Sequence, residues 1–389
     1  MKNPTDHSFR FPWRQGNAFE LLVNGDRFFP AMLEAIDQAR HFIFLEMYLV
    51  ESGKVADRFI EALIKAADRG ARCFLLFDDF GAMKLHGSDR KKLRHANIEL
   101  QFYNPLRYGE LRRSLFRDHR KLLLVDGEIA FVGGTGLTDE FDPDQKKGRA
   151  WHEVMLALRG PCVRDWAMLF VETWPTHHPL LQQLVNELEP VTAAGNQLGR
   201  VTISQMSSRQ EIKRSLIKHI RQADHWVWIT TAYFVPSWKI RRALRKAARR
   251  GVDVRLMLPG PHTDHPPVRH AGRRFYCSLL CHGVRIFEYQ PRFTHAKVYV
   301  SDYWCSIGSS NVDRWNLIWN LEANQEIEDQ RFVEEVKTMF EEDFSHCHEI
   351  TLSHWQRRPW HLRLLEWFWG RIDVALQRFS TKQRDRKRR

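Results

Sequence analysis

The sequence predicts an α/β protein of two similar lobes related by a pseudo-twofold axis, with one shared site at their interface and an amphipathic C-terminal tail. Three observations predict it. Segments with strand-like and helix-like patterning recur in the same order in each half of the 389-residue chain. Each half carries the pattern H-x-K-x4-D, first as His119, Lys121 and Asp126, then as His295, Lys297 and Asp302. The chain ends in a Trp- and Arg-rich segment, 355–389, that matches neither half.

The repeat is legible segment by segment. Residues 39–77 read ARHFIFLEMYLV, then FIEALIKAADRGARCFLLF; residues 223–258 read ADHWVWITTAYFV, then IRRALRKAARRGVDVRLML. Both spell strand, helix, strand. In the second helix Ile240, Ala243, Leu244, Ala247 and Ala248 fall three and four apart, the spacing of a buried helix face. Gly70 and Gly251 sit where a glycine commonly ends a helix. LRHANIELQFYNP (93–105) then parallels LLCHGVRIFEYQP (279–291), and RDHRKLLLVDGEIAFVGGT parallels FTHAKVYVSDYWCSIGSSN. Strands alternating with helices predict layered α/β units around a largely buried sheet. The boundaries expected are 17–190 for the first lobe and 197–350 for the second, with 355–389 as a basic amphipathic tail. Residues 176–200 read as the inter-lobe connection, and 104–118 as a loop beside the site.

Composition narrows the function classes. A hydrophobic fraction of 43% with 28% charged residues is that of a globular chain, not a disordered one. No run of about 18 apolar residues suits a membrane span, and the N-terminus shows no apolar signal-peptide core. The six cysteines include no C-x-x-C pair. Cys277, Cys281 and His282 fall short of the four ligands usual for structural zinc, so the cysteines read as free thiols in a reducing compartment. The net charge of +13 calls for an anionic partner: nucleic acid, an anionic membrane or a phosphorylated substrate.

The duplicated pattern narrows the chemistry. His and Lys two apart on a strand share a face. Asp126 and Asp302 fall on the opposite face by parity, and Asp126-Gly127 is a tight-hairpin signal. The aspartates are therefore expected to brace a turn and its neighbours rather than to touch substrate. If the lobes pack by twofold symmetry, two imidazoles and two ammonium groups converge, a cluster that a phosphodiester would neutralise. One histidine would attack phosphorus, and the other would protonate the leaving alkoxide and then deprotonate the incoming alcohol or water. The two lysines, with Ser309 and Asn311, would stabilise the non-bridging oxygens. Each histidine needs an acceptor for its other nitrogen; by position Glu322 is expected to serve His295, and Glu153 to serve His119. No metal or other cofactor is expected, because no carboxylate cluster is evident to hold one.

At these residues the sequence resembles the phospholipase D superfamily, whose signature is the duplicated H-x-K-x4-D followed by G-S-x-N, here Gly308-Ser309-Ser310-Asn311. The resemblance covers roughly 12–350. Within the superfamily the chain looks most like bacterial cardiolipin synthases of the type lacking N-terminal transmembrane helices. Trp13-Arg14-Gln15-Gly16-Asn17, Leu22 to Gly25, Leu45-Glu46, Ala232-Tyr233-Phe234-Val235-Pro236 and Asn320-Leu321-Glu322-Ala323-Asn324 carry that likeness. It implies two phospholipase D-like lobes. It also implies transfer of a phosphatidyl group from phosphatidylglycerol to a second phospholipid's hydroxyl, giving cardiolipin and glycerol, with His119 as nucleophile and His295 as acid/base. The partners implied are phosphatidylglycerol, other anionic phospholipids and the cytoplasmic face of the bacterial membrane, met peripherally. In the first lobe Gly136 stands where the family pattern has Asn, which removes one amide.

The tail fits that surface. Leu364, Leu365, Phe368, Trp369, Ile372, Ala375, Leu376 and Phe379 follow helical spacing. Residues 355–389 hold 11 Lys and Arg against 3 Asp and Glu, leaving 49 against 44 for the rest of the chain. Basic residues so concentrated beside Trp suit an anionic bilayer. Alternatives are a phospholipase D-type hydrolase, a transferase using another acceptor such as phosphatidylethanolamine, and a nucleic-acid phosphodiesterase. The last is disfavoured because no basic groove interleaved with aromatics is evident outside the tail. A membrane scaffold with a dead site is disfavoured by the intact His and Lys of both patterns. Oligomeric state is not legible.

Overall fold

The computed structural model describes residues 9–95, 97–106, 109, 116–145, 150–188, 193–205, 209–313 and 320–372. The first half runs β1 (Arg14–Val23), α1 (Gly25–Gln38), β2 (Phe42–Met47), α2 (Lys54–Asp68), β3 (Arg72–Asp78), α3 (Gly87–Lys92), β4 (Ile98–Tyr103), β5 (Arg117–Asp118), β6 (Leu122–Val125), β7 (Ile129–Gly133), β8 (Val154–Arg159), α4 (Cys162–Thr173) and α5 (Pro179–Glu187). The second runs β9 (Gln197–Gln205), β10 (Arg209–Gln210), α6 (Glu211–Gln222), β11 (Trp226–Thr230), α7 (Trp238–Arg249), β12 (Asp253–Pro259), α8 (Pro266–Arg273), α9 (Tyr276–Leu280), β13 (Arg285–Tyr289), β14 (Val298–Ser301), β15 (Trp304–Gly308), β16 (Asn320–Glu328), α10 (Gln330–Ser345), β17 (Cys347–Ile350) and α11 (Leu352–Gln356). Among the described residues, 360–372 form a further helix, α12.

The repeat read from sequence is a repeat of topology. One sheet has the order β4-β3-β2-β6-β7-β8-β1. The other has the order β13-β12-β11-β14-β15-β16-β9. In each, three parallel strands joined through helices continue into antiparallel ones. The helix faces follow the patterning. α7 buries Ile240, Ala243, Leu244 and Ala247, while Ala248 is half-buried; α2 buries Phe59, Ile60, Leu63 and Ala66 in the equivalent place. Gly70 and Gly251 close these helices at φ of 103° and 92°, the left-handed region where a side chain is strained.

The lobes share strands as well as a face. β1 pairs with β8 of its own sheet, while its first residues turn onto β9 of the other, Arg14 opposite Gly199. β16 overruns the end of its ladder with β15 and lies parallel to β5, Leu321 opposite Asp118. Buried polar contacts cross the same boundary: Trp166 Nε1 donates to Gln325 Oε1 at 2.9 Å. Residues 176–200, expected as a connection, contain α5 and the first part of β9.

The tail is less separate than expected. Trp355 is buried against Tyr276 and Arg273 of the second lobe. In α12 the buried residues are Glu366 and Gly370: Glu366 accepts from Arg358 at 2.9 Å and from Arg273 at 3.4 Å, and Arg274 donates to the Gly370 carbonyl. The helix is thus held by its polar side, and Trp360, Leu364, Leu365, Trp367 and Phe368 are exposed. Ala375, Leu376 and Phe379 lie outside the described residues. Among the described residues no helix is long and apolar enough to cross a membrane.

Candidate active site

Both H-x-K segments sit just ahead of the antiparallel strands β6 and β14, at the lobe boundary. His119 and His295 are each held by a backbone bond to the other lobe: His119 N donates to Leu321 O at 3.0 Å, and His295 N to His152 O at 2.7 Å. These equivalent bonds set the position of the next residue on each accepting segment. Glu322 comes one residue after Leu321, and Glu153 one after His152. His119 Nδ1 lies 3.1 Å from the Glu322 carboxylate, and His295 Nδ1 lies 2.6 Å from Glu153 Oε2.

The pairing is therefore the reverse of that expected from sequence. Glu322 serves His119, and Glu153 serves His295. The reason is strand overrun. The residues carrying each glutamate pass the end of their own ladder and run beside the other lobe's His segment, as the β16–β5 pairing and the His152–Thr294 bridge record. Proximity within a repeat is a poor guide where strands are exchanged.

The lysines close the cluster. Lys121 Nζ donates to His119 O at 2.5 Å. Lys297 Nζ donates to His295 O, and it lies 2.9 Å from His295 Nδ1 and 3.7 Å from Glu153 Oε2. All six side chains are buried. Burial pushes the Lys121 ammonium down to about 7, with Glu322 opposing the shift and Lys297 adding to it. Burial also lowers Lys297, against Glu153 and Glu322. It lowers His119, against Glu322, and lowers His295 well below the ordinary imidazole range with Lys297 reinforcing. Glu153 is raised by burial, with Lys297 opposing. The charge of Lys297 lowers Lys121, His119 and His295 alike, so the four basic groups form one cluster whose natural partner is an anion.

A phosphodiester surrogate tests this. With Lys121 near 7 when no anion lies beside it, most of it is neutral at pH 8; a bound dianion restores the higher value. Sulfate binding at pH 8 is therefore expected to take up about one proton, by linkage. Titration calorimetry in two buffers of different ionisation enthalpy should show a buffer-dependent heat that Lys121→Met diminishes. A buffer-independent heat would mean that Lys121 is already protonated at pH 8 and would contradict its lowered value.

The remaining candidates divide. Asn311 Oδ1 accepts from Thr231 Oγ1 at 3.0 Å and from Tyr233 N at 3.2 Å, leaving Nδ2 buried with no protein partner among the described residues. Such a donor is costly unless a ligand meets it. Ser309 is corrected. Its hydroxyl donates to Glu322 and accepts from Ala323 N at 3.1 Å, so it positions a carboxylate rather than a phosphoryl oxygen. Gly134 is its counterpart in the first lobe. A Cβ there would stand 2.3 Å from Glu153 Oε2, so Glu153 occupies the room a serine would need. At Gly136 a Cβ would stand 2.7 Å from Leu49 O, which leaves no room for the expected Asn. The missing amide is replaced by backbone bulk.

Asp126 and Asp302 stand at the far ends of β6 and β14, away from the cleft. Asp126 accepts from the backbone N–H groups of Arg40, His41 and Phe42 at 2.8, 2.9 and 2.8 Å. Asp302 accepts from Asp224 N at 2.7 Å and Trp226 N at 3.0 Å. They fasten each hairpin to the start of the neighbouring parallel strand, as parity predicted, and leave the set of groups that can meet substrate. Among the described residues no group of three or more His, Cys, Asp and Glu could hold a metal ion; Cys277 and Cys281 are exposed free thiols.

Sequence reading missed the aromatic wall. Tyr48 packs on His119 with ring centres 4.8 Å apart and lies under Lys121 Nζ at 5.1 Å; Tyr233 and Trp151 flank His295 at 6.4 and 5.4 Å. Tyr48 and Tyr233 each follow the first strand of a repeat, two residues before Val50 and Val235, and that matched position was the available signal.

A twofold α/β pair meeting at two His-Lys segments is the architecture of phospholipase D-like enzymes, and comparison with known proteins agrees. The chain matches the family described as "Cardiolipin synthase, PLD-like domain" twice, over residues 32–142 and 216–344. It belongs to the cardiolipin synthase family, phosphatidyltransferases of the phospholipase D superfamily. It is 35% identical to cardiolipin synthase B of Salmonella typhi over 90% of this chain and 86% of that one. To a cardiolipin synthase of Geobacillus kaustophilus it is 31% identical over 89% and 70%. The fold is similar to the crystal structure of phosphatidylserine synthase from Haemophilus influenzae, with a TM-score of 0.72 at 12% identity, over 92% of this chain and 93% of that one.

Proposed function

We propose that this protein makes cardiolipin by moving a phosphatidyl group from phosphatidylglycerol to the free hydroxyl of a second phospholipid, through a phosphohistidine. The observation that carries the reading is the crossed pair of His–Glu contacts beside two lysines in one buried cleft. With each Nδ1–H committed to a carboxylate, each Nε2 carries the lone pair or the transferable proton.

In the first step His119 Nε2 attacks phosphorus and the N–P bond forms. The bound phosphodiester's charge offsets Lys297 and lets His295 hold a proton at Nε2, and the P–O bond to glycerol breaks as His295 gives that proton to the departing oxygen. In the second step the acceptor's hydroxyl gives its proton to the now neutral His295 and attacks phosphorus, and the N–P bond breaks. Lys121, Lys297 and Asn311 Nδ2 stabilise the phosphoryl oxygens in both transition states. Burial supports transfer over hydrolysis, because water is kept from the intermediate.

The reading extends to location. The exposed apolar side of α12 and the six basic residues among the last eight of the chain would dock the enzyme peripherally on the cytoplasmic leaflet. The decisive test is incubation of the purified protein with phosphatidylglycerol vesicles. Cardiolipin and glycerol in equal amounts are expected. Phosphatidic acid as sole lipid product would identify a hydrolase, and products requiring added phosphatidylethanolamine would identify another acceptor.

A further inference from the structure

Outside the cleft, a concentration of like charge lies between α6 and α7. Arg214, Lys218 and Arg221 from one helix and Trp238, Lys239 and Arg242 from the other line a groove of about 500 Å³ with no carboxylate on its walls. The helices bury their apolar faces, Ile212, Leu216 and Ile220 on α6 and Ile240, Ala243 and Leu244 on α7, so the basic faces are turned outward. α7 contains six basic residues and no acidic one.

Several arginines elsewhere on this lobe have carboxylates: Arg285 with Glu349, Arg255 with Asp253, Arg269 and Arg273 with Glu288. Here Lys218, Arg221, Lys239 and Arg242 are not buried, and among the described residues none of the four forms an ion pair. Like charges facing across a groove repel, and an external anion relieves them.

The groove's neighbours say which anion. Trp238 stands at its rim, 56% exposed, with Arg242 5.2 Å from its ring. A lone aromatic at an edge suits a headgroup boundary better than a strand of bases, which calls for interleaved stacking partners. The same side of the lobe continues from α7 to α9, through Arg241 over Phe275 and Arg245 to Ser278, and on through Arg273 and Arg274 to α12. A chain of contacts thus links the helices of the cationic groove to the helix that displays Trp, Leu and Phe.

We infer that the α6/α7 groove is a second anionic-lipid site, separate from the cleft, that binds phosphate headgroups of an anionic bilayer and holds this side of the second lobe against it. The inference rests on the proposed lipid function. The experiment compares full-length protein with the Lys218→Gln/Arg221→Gln/Lys239→Gln/Arg242→Gln variant in flotation with phosphatidylglycerol-containing and phosphatidylcholine-only vesicles. These residues touch no catalytic group, so turnover of a water-soluble phosphodiester should be unchanged and also certifies folding. A basic residue near an anionic leaflet is worth about fivefold in partitioning, so at least a tenfold loss on anionic vesicles is expected, with no change on phosphatidylcholine. Equal flotation of a soluble-substrate-active variant overturns the inference. So does unchanged flotation with lost binding to a single-stranded RNA, which would assign the groove to nucleic acid. A variant inactive on the soluble substrate is replaced by single Lys239→Gln and Arg242→Gln changes, read by the same criteria. Groove-dependent flotation without cardiolipin synthesis would sink the proposed function and leave the groove standing.

Discussion

Replacing His119 by alanine is expected to remove phosphatidyl transfer almost entirely, with a loss on the order of 10⁶ in kcat, the scale seen when a nucleophile or its base is deleted. His295→Ala should also be severely impaired with phosphatidylglycerol, by about 10²–10⁴, the range for loss of a general acid. The two differ once the leaving group no longer needs a proton. With a p-nitrophenyl phosphatidyl ester, His295→Ala should give a stoichiometric burst of nitrophenol and accumulate a phosphatidyl-enzyme, because His119 can still attack. His119→Ala should give no burst. A burst from His119→Ala alone would reverse the roles, and full turnover by either variant would sink the shared two-histidine site.

The second large effect concerns the glutamates. Amidation of the carboxylate behind a catalytic imidazole costs on the order of 10⁴ in kcat by favouring the wrong tautomer. Glu153→Gln and Glu322→Gln should each approach that loss. Because the contacts cross between lobes, Glu153→Gln should behave like the His295 variant: slow with phosphatidylglycerol, with the nitrophenol burst retained. Glu322→Gln should slow the burst itself. The opposite assignment of phenotypes would restore the pairing suggested by position in the repeat and contradict the 2.6 Å contact between His295 and Glu153.

Much of this molecule could be read before it was seen, for reasons that are local. Strand–helix–strand patterning, the helix-ending Gly70 and Gly251, and the turn at Asp126-Gly127 depend on short stretches of chain, and each is where it was expected. The convergence of His119, Lys121, His295 and Lys297 followed from duplication alone. What stayed hidden depends on strands leaving their own sheet. The Glu153–Glu322 exchange arises from overrun at the ends of β8 and β16, and Ser309 is drawn to Glu322 by the same overrun. The α6/α7 groove was hidden differently. The modest excess of basic residues in 1–354 is an average, which conceals how carboxylates elsewhere balance arginines while α7 has none.

The exchanged glutamates also make the two halves obligate partners. Either half folded alone would hold a His-Lys segment whose imidazole lacks the acceptor that fixes its tautomer. Activity thus works as an AND gate on docking: a chain severed between the lobes would turn over only while both pieces stay assembled. An ancestral single-lobe protein of this design would have needed a second copy of itself to supply the same carboxylates. In the joined chain the contact is intramolecular, present at an effective concentration that dilution cannot lower.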